Sequence, residues 1–287
     1  MERSAWKVMW NEIRHDAVAM TGLILFILIM ASVYIWSLFI DEQAMMIANF
    51  RFRNIGPSPG VPFGFDSLGR DMLPHLIISA RNSFNMAYVV TVVGVAFGTL
   101  VGLFSGFYGG HVDNVLMRVL DFWGMIPALM LIIVFVSTMP GYTPIHFALM
   151  FTAIYAWQGT ARLIRSMAFR QASLEYVAAS KTLGTPNAVI IFREITPNLV
   201  SIMTANLTIQ LAANIGFETG LTFLGFGVPF GTPSLGLLVY NAATPQALRH
   251  YWWQWLPAAL LIVIVMLCIN FIGQALNRAA DAKKRSI

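Results

Sequence analysis

Between Asp16 and Asp41 there is not one charged side chain. The run 17–40 is about 24 residues long, enough for a helix to cross the roughly 30 Å of hydrocarbon in a bilayer. It is too long for the apolar core of a cleaved leader, and no small-x-small site follows it. Comparable runs recur at 84–110, about 122–139, about 145–161, from about 198, and about 254–276. Composition agrees: 57% of residues are hydrophobic and 11% charged, about half the charge of a soluble domain. The expectation is an all-α integral membrane protein of about six transmembrane helices.

Lysine and arginine orient it. With the N-terminus cytoplasmic, thirteen of the 18 basic residues fall inside. Only Arg51, Arg53, Arg70, Arg81 and Arg249 fall outside, as the positive-inside rule requires. Residues 3–16 read as an interfacial helix, with Trp6, Met9, Trp10 and Ile13 on one face. Residues 41–83 read as a polar outer loop. Tyr251, Trp252, Trp253 and Trp255 read as an interfacial aromatic belt.

The stretch 173–198, SLEYVAASKTLGTPNAVIIFREITPN, is polar and basic between apolar runs. It reads as a cytoplasmic hairpin of two short helices. Ser173 is expected to cap the first, with Glu175 in its first turn, where the helix dipole favours an acid. Gly184 falls where a left-handed C-cap residue belongs. Thr185 is expected to cap the second helix, with Pro186 at its first position and Pro197 closing it.

This hairpin resembles the cytoplasmic loop of permease subunits from binding-protein-dependent ABC importers. Ala179, Ser180, Gly184, Ile195 and Pro197 fall on or within one residue of that family's E-A-A…G…I-x-L-P pattern. Ala178 stands where the pattern has Glu, and Thr196 where it has Leu; Glu175 is the nearby acid that could serve instead. Glu175-Tyr176-Val177 narrow the resemblance to the oligopeptide/dipeptide/nickel branch, C-type subunit. Further blocks resemble the same family: Phe63 to Asp71 with Ala80 to Ser83, Gly109 to Asp113 with Met117 to Asp121, and Glu218 to Gly227. The resemblance implies a first unit, 1–83, and an importer-type permease domain, 84–280. It implies ATPase coupling through Leu174, Glu175, Tyr176, Ala178, Ala179, Gly184, Thr185 and Pro186. The implied partners are a B-type permease, two ABC ATPases and an extracytoplasmic solute-binding protein in a bacterial or archaeal cytoplasmic membrane. The solute would be a di- or oligopeptide, a nickel chelate or another small solute. No cofactor would be bound directly, ATP and Mg residing on the partner ATPases.

Gly94, Gly98, Gly102, Gly106 and Gly110 recur every four residues, a groove into which another helix can pack. The fifth span carries Asn206, Gln210 and Asn214, so one face should line a cavity or a helix interface. Glu218 is expected either to cap the broken segment that follows it or to line the outer pathway. No G-x-x-x-x-G-K-[ST] loop is present, so ATP hydrolysis belongs elsewhere. Gly56-Pro57-Ser58-Pro59-Gly60 matches a G-x-S-x-G nucleophile motif only in letters, since two prolines deny the serine its strand-to-helix turn. The five histidines have no ligand spacing, so no metal or catalytic site is expected. Basic residues beside apolar runs do not indicate nucleic acid. An ion-coupled secondary transporter is the remaining alternative, but midplane acids and inverted repeats are not evident.

Overall fold

Asp16 ends one helix and starts the next. A computed structural model of the chain describes residues 5–229 and 231–285, with side chains at 9–229 and 231–280. Among them every regular element is helical. After α1 (Ala5–His15), the Asp16 carboxylate accepts from the Val18 and Ala19 amides at 2.9 and 3.1 Å and opens α2 (Ala17–Ser37). The apolar face expected on α1 is divided between protein and surroundings. Met9 and Ile13 are buried against Ile272, Leu276 and Ala279 near the chain's end, while Trp10 is exposed. The Trp6 side chain lies outside the described residues.

Residues 41–71 form an ordered cap, beginning with α3 (Glu42–Met46). Asp66 accepts from the Leu68 and Arg70 amides at 2.8 and 2.9 Å and from Arg70 Nε at 2.7 Å. Gly69 has φ +75°, and a Cβ there would lie 1.8 Å from the Asn49 carbonyl oxygen, so no other residue fits. Asp71 then caps α4 (Met72–Tyr108), accepting from the Leu73 amide at 3.0 Å. The second span was expected from residue 84, but the helix begins twelve residues earlier, and the 83/84 edge falls inside it. The polar residues that resembled a loop have partners. Arg81 pairs with Glu42, Asn82 Nδ2 donates to the Pro233 carbonyl at 3.0 Å, and Ser83 Oγ accepts from the Leu235 amide at 3.0 Å.

The third span was expected over 122–139 with Pro127 in its first turns. It is instead a broken pair, α5 (Gly110–Met125) and α6 (Ala128–Thr138), bent by 71°, with Pro127 extended at the break. Then α7 (Pro144–Phe151) passes through a π-helical turn, Thr152–Ala156, into α8 (Gln158–Ala172). There follow α9 (Glu175–Thr182), α10 (Asn187–Val189), a second π-helical turn at Ile190–Ile195, and α11 (Thr196–Phe223). Short helices α12 (Leu235–Asn241) and α13 (Pro245–His250) precede α14 (Leu256–Arg285).

Four of these helices are long and apolar enough to cross a membrane unbroken: α2, α4, the continuous run 187–223, and α14. The bent α5–α6 pair makes a fifth if it is one span. The fourth expected span, about 145–161, falls on the shorter apolar helix Pro144–Ala156 and the start of α8.

Helix α4 is central, packing on α8, α11, α2 and α5, while α14 packs on α11 and α2. Phe84 and Ala87 of α4, Ala212 and Ile215 of α11, and Val265 and Ile269 of α14 share one core. At one end, Trp253 Nε1 donates to the Phe65 carbonyl at 3.1 Å and Gln254 Nε2 to Asn54 Oδ1 at 2.8 Å. Trp253 is therefore a clamp on the outer cap rather than a lipid-facing belt residue; Trp252 is exposed. At the other end Asp16 pairs with Arg278. The contacts thus bring the 41–71 segment together with the start of α14, and the start of α2 together with the later part of α14.

Candidate coupling helix and transmembrane pathway

Three expected caps of the hairpin shift. Ser173 closes α8, its hydroxyl donating to the Arg170 carbonyl at 2.9 Å, and Leu174 occupies the N-cap of α9 without a side-chain bond. The carbonyl that opens α10 belongs to Pro186, not Thr185: it accepts from Val189 and Ile190 at 2.9 and 3.2 Å. Thr185, preceding a proline, is one residue too early to do so. Pro197 closes nothing. The π-helical turn before it loosens the ladder that its missing N–H and ring would break, and Thr196 Oγ1 takes the Ile191 carbonyl at 2.8 Å. The second arm is therefore the start of a run reaching Phe223.

Gly184 has φ +78°, with Thr185 N donating to Ser180 O and Gly184 N to Lys181 O, both at 3.0 Å. This is a Schellman stop. It turns the chain in space, since no atom lies within 4 Å of a Cβ there.

The first arm, α9, has two faces. Val177 is fully buried among Leu103 and Phe107 of α4, Ile164 and Ala168 of α8, and Ile191 and Ile195. Tyr176 turns the same way: its hydroxyl donates to Gln171 Oε1 at 2.8 Å and accepts from Asn198 Nδ2 at 3.5 Å. Burial raises the phenol's pKa above its usual value, so it stays a donor. Ser180 donates to Glu194 Oε2 at 2.8 Å, and Lys181 Nζ sits 4.6 Å from the Phe107 ring centre. Glu175, Ala178, Ala179, Leu183, Gly184 and Pro186 are exposed, as is Leu174, and Thr185 is half-buried. Of the expected coupling residues, Tyr176 alone is committed to internal hydrogen bonds with its side chain.

Sequence reasoning missed three residues here. Val177 is the anchor, legible only as an apolar residue in a polar helix. Leu183 is 85% exposed at the tip. Glu194 brings a carboxylate to the inner face of α9, where Glu175 had been expected to be the relevant acid.

The four glycines of α4 lie along α8 and the turn before it. A Cβ at Gly94 would meet Ala156 Cβ at 3.0 Å, at Gly98 the Trp157 carbonyl oxygen at 2.5 Å, at Gly102 that of Ala161 at 2.7 Å, and at Gly106 that of Arg165 at 2.5 Å. Three of these are backbone atoms and the fourth is an alanine Cβ, so no rotamer change relieves them. Asp113 of α5 pairs with Arg165 of α8 and accepts from Ser105 of α4, fastening all three helices. Asp121 and Arg162 add a more exposed pair at 3.0 Å.

On α11, Asn206 Nδ2 donates to Thr160 Oγ1 and Asn214 Nδ2 to Thr91 Oγ1, both at 2.9 Å. These two amides join helices. Gln210 is half-buried beside the exposed Gly159. Glu218 is 3% exposed and accepts from Thr222 Oγ1 at 3.0 Å. Thr222 Oγ1 in turn accepts from the Val228 amide at 3.3 Å. The acid thus reaches the broken segment through a hydroxyl rather than by binding freed amides itself. Among the described residues no three His, Cys, Asp or Glu side chains gather as metal ligands.

The chain matches the family model for the inner membrane component of binding-protein-dependent transport systems over residues 98–286. It is 41% identical to the oligopeptide transport system permease protein OppC of Lactococcus lactis subsp. cremoris over 276 residues, covering 96% of this chain and 93% of that one. It is 30% identical to the dipeptide transport system permease protein DppC of Bacillus subtilis, covering 96% and 85%. Among solved structures, the inward-facing MetNI methionine ABC transporter aligns with a TM-score of 0.56 at 18% identity, over 73% of this chain and 97% of that chain. That likeness is one of fold.

Proposed function

Because this chain belongs to the family of inner membrane components of binding-protein-dependent transport systems, we propose that it is one permease half of an ATP-driven importer of di- and oligopeptides. The observation that carries this reading is the similarity to a peptide permease across nearly the whole of both chains. The geometry supplies the means. Helix α9 is clamped by Val177 to α4, α8 and the start of the α11 run, so a push on it moves packed helices as a body. Its exposed ridge, Leu174, Glu175, Ala178 and Leu183, is the surface offered to an ATPase.

The remaining parts of the machine are a second, B-type permease, two ATPases carrying ATP and Mg, and an extracytoplasmic binding protein. The setting is a bacterial or archaeal cytoplasmic membrane, and this chain itself binds no cofactor. The test is reconstitution with a B-type permease, ATPases and a binding protein from the same organism. Proteoliposomes should take up labelled di- to hexapeptides only with ATP and binding protein present. Uptake independent of either, or uptake driven by an ion gradient, would overturn the assignment.

A further inference from the structure

Four side chains on α11 are amides, and three of them have partners. Asn198 donates to the Glu194 carbonyl at 3.0 Å, Asn206 to Thr160 and Asn214 to Thr91. Gln210 has no hydrogen-bond partner among the described residues. It is also only partly buried, in the middle of a run long enough to cross a membrane. A primary amide facing lipid tails would leave two donors and an acceptor unmet where no water can meet them. The helix face that carries it therefore looks onto something polar.

What lies beside Gln210 agrees. Gly159 of α8 is exposed directly opposite, where a Cβ would lie 3.7 Å from Gln210 Nε2. Seven residues along α11, on the same face, Phe217 stacks on Tyr155 with ring centres 5.0 Å apart and planes at 15°. Phe151 backs both rings, 4.9 Å from Phe217. Tyr155 is 47% exposed and sits in the π-helical turn Thr152–Ala156. The carbonyls loosened around that turn are taken up: Trp157 Nε1 donates to Ala153 O at 2.9 Å, and Gln158 Nε2 and Trp123 Nε1 donate to Ile154 O at 2.6 and 3.2 Å. The turn is held in place by side chains and carries Tyr155 on its outer side. Glu218, the next residue, is buried on Thr222.

We infer that Gln210 and the stacked pair Tyr155–Phe217 form this chain's wall of the translocation pathway, and that the Gln210 amide meets the backbone of the passing peptide. The inference rests on the peptide reading above. A peptide backbone offers an N–H and a C=O at each non-proline residue, and a primary amide complements both without reading sequence. Aromatic faces accept apolar side chains and cationic groups alike. Together they suit a path that must pass many peptides.

The test uses the assembled transporter in proteoliposomes, in a Cys268→Ala background, with Gln210→Cys, Tyr155→Cys and Asn214→Cys made singly. A charged, hydrophilic thiol reagent should label Gln210→Cys and Tyr155→Cys at least tenfold faster than Asn214→Cys, whose position is buried against Thr91. Saturating tripeptide, binding protein and ATP should slow labelling of the first two several-fold. Reaction of Gln210→Cys with a lipid-soluble maleimide alone would overturn the inference by placing the face in lipid. Protection from both reagents would overturn it by placing the face against the second permease. Labelling unaffected by peptide, in vesicles that do import the peptide, would overturn the backbone contact. If the unsubstituted transporter imports no peptide at all, the proposed function fails, while the reagent contrast still decides whether this face is wet.

Discussion

Glu218 shows how an acid is buried on a long apolar helix with hydroxyl donors rather than an ion-pair partner among the described residues. Its carboxylate takes the Thr222 hydroxyl, and that hydroxyl takes the Val228 amide, so one acid holds the chain where α11 ends. Gly227 must be glycine for this arrangement, since a Cβ there would lie 1.9 Å from Thr222 Oγ1. Glu218→Gln keeps an acceptor and should preserve both melting temperature and uptake. Glu218→Ala leaves Thr222 without its acceptor and should cost about 1–3 kcal/mol of stability, read as a lowered melting temperature in detergent. Selective loss of cationic-peptide uptake in Glu218→Gln, at unchanged melting temperature, would instead make the acid a pathway residue.

Helices α4 and α8 pack closely along much of their length, and that closeness depends on glycine. Gly102→Leu forces a side chain against the Ala161 carbonyl and the Arg165 amide, 2.7 and 2.8 Å from its Cβ. The pair must part, at a cost of about 1–3 kcal/mol or more; a broadened or shifted size-exclusion profile is the readout. Gly220→Ala is the control. Nothing lies within 4 Å of its Cβ, its φ is ordinary, and it sits within α11. It should be neutral or stabilise by about 0.5–1 kcal/mol. Equal behaviour of the two would remove close packing as the reason for the glycines.

Gly184→Val acts on a different element. At φ +78° a β-branched residue costs about 1–2 kcal/mol, and the turn after α9 must change. The variant should insert normally yet lose transport, with ATPase activity no longer stimulated by loaded binding protein. Full peptide uptake would show that the shape of this turn does not matter to coupling.

At the scale of the molecule, the two ends carry opposite assignments. Ser58 lies in the cap clamped by Trp253 and Gln254, and Thr182 lies exposed on α9. In a Cys268→Ala background, an impermeant thiol reagent outside intact cells should label Ser58→Cys and spare Thr182→Cys. Labelling of Thr182→Cys in sealed cells would invert the topology.

The sequence by itself determined the solvent this chain folds in, its helical class and the position of the hairpin's left-handed stop, and it set the orientation that the labelling experiment tests. Those follow from local facts: a charge-free run has one favourable medium, lysines and arginines bias the choice of side, and glycine tolerates the φ of Gly184 without cost. Only the tertiary structure decided where α4 begins, that Pro197 is passed rather than obeyed, and which polar residues of α11 have partners. Arg81, Asn82 and Ser83 resembled a loop until Glu42, Pro233 and Leu235 were found opposite them. Asn206, Gln210 and Asn214 are equivalent as letters. Whether an amide is spent on a neighbouring helix or left open is a property of the neighbour, and the neighbour is fixed by packing.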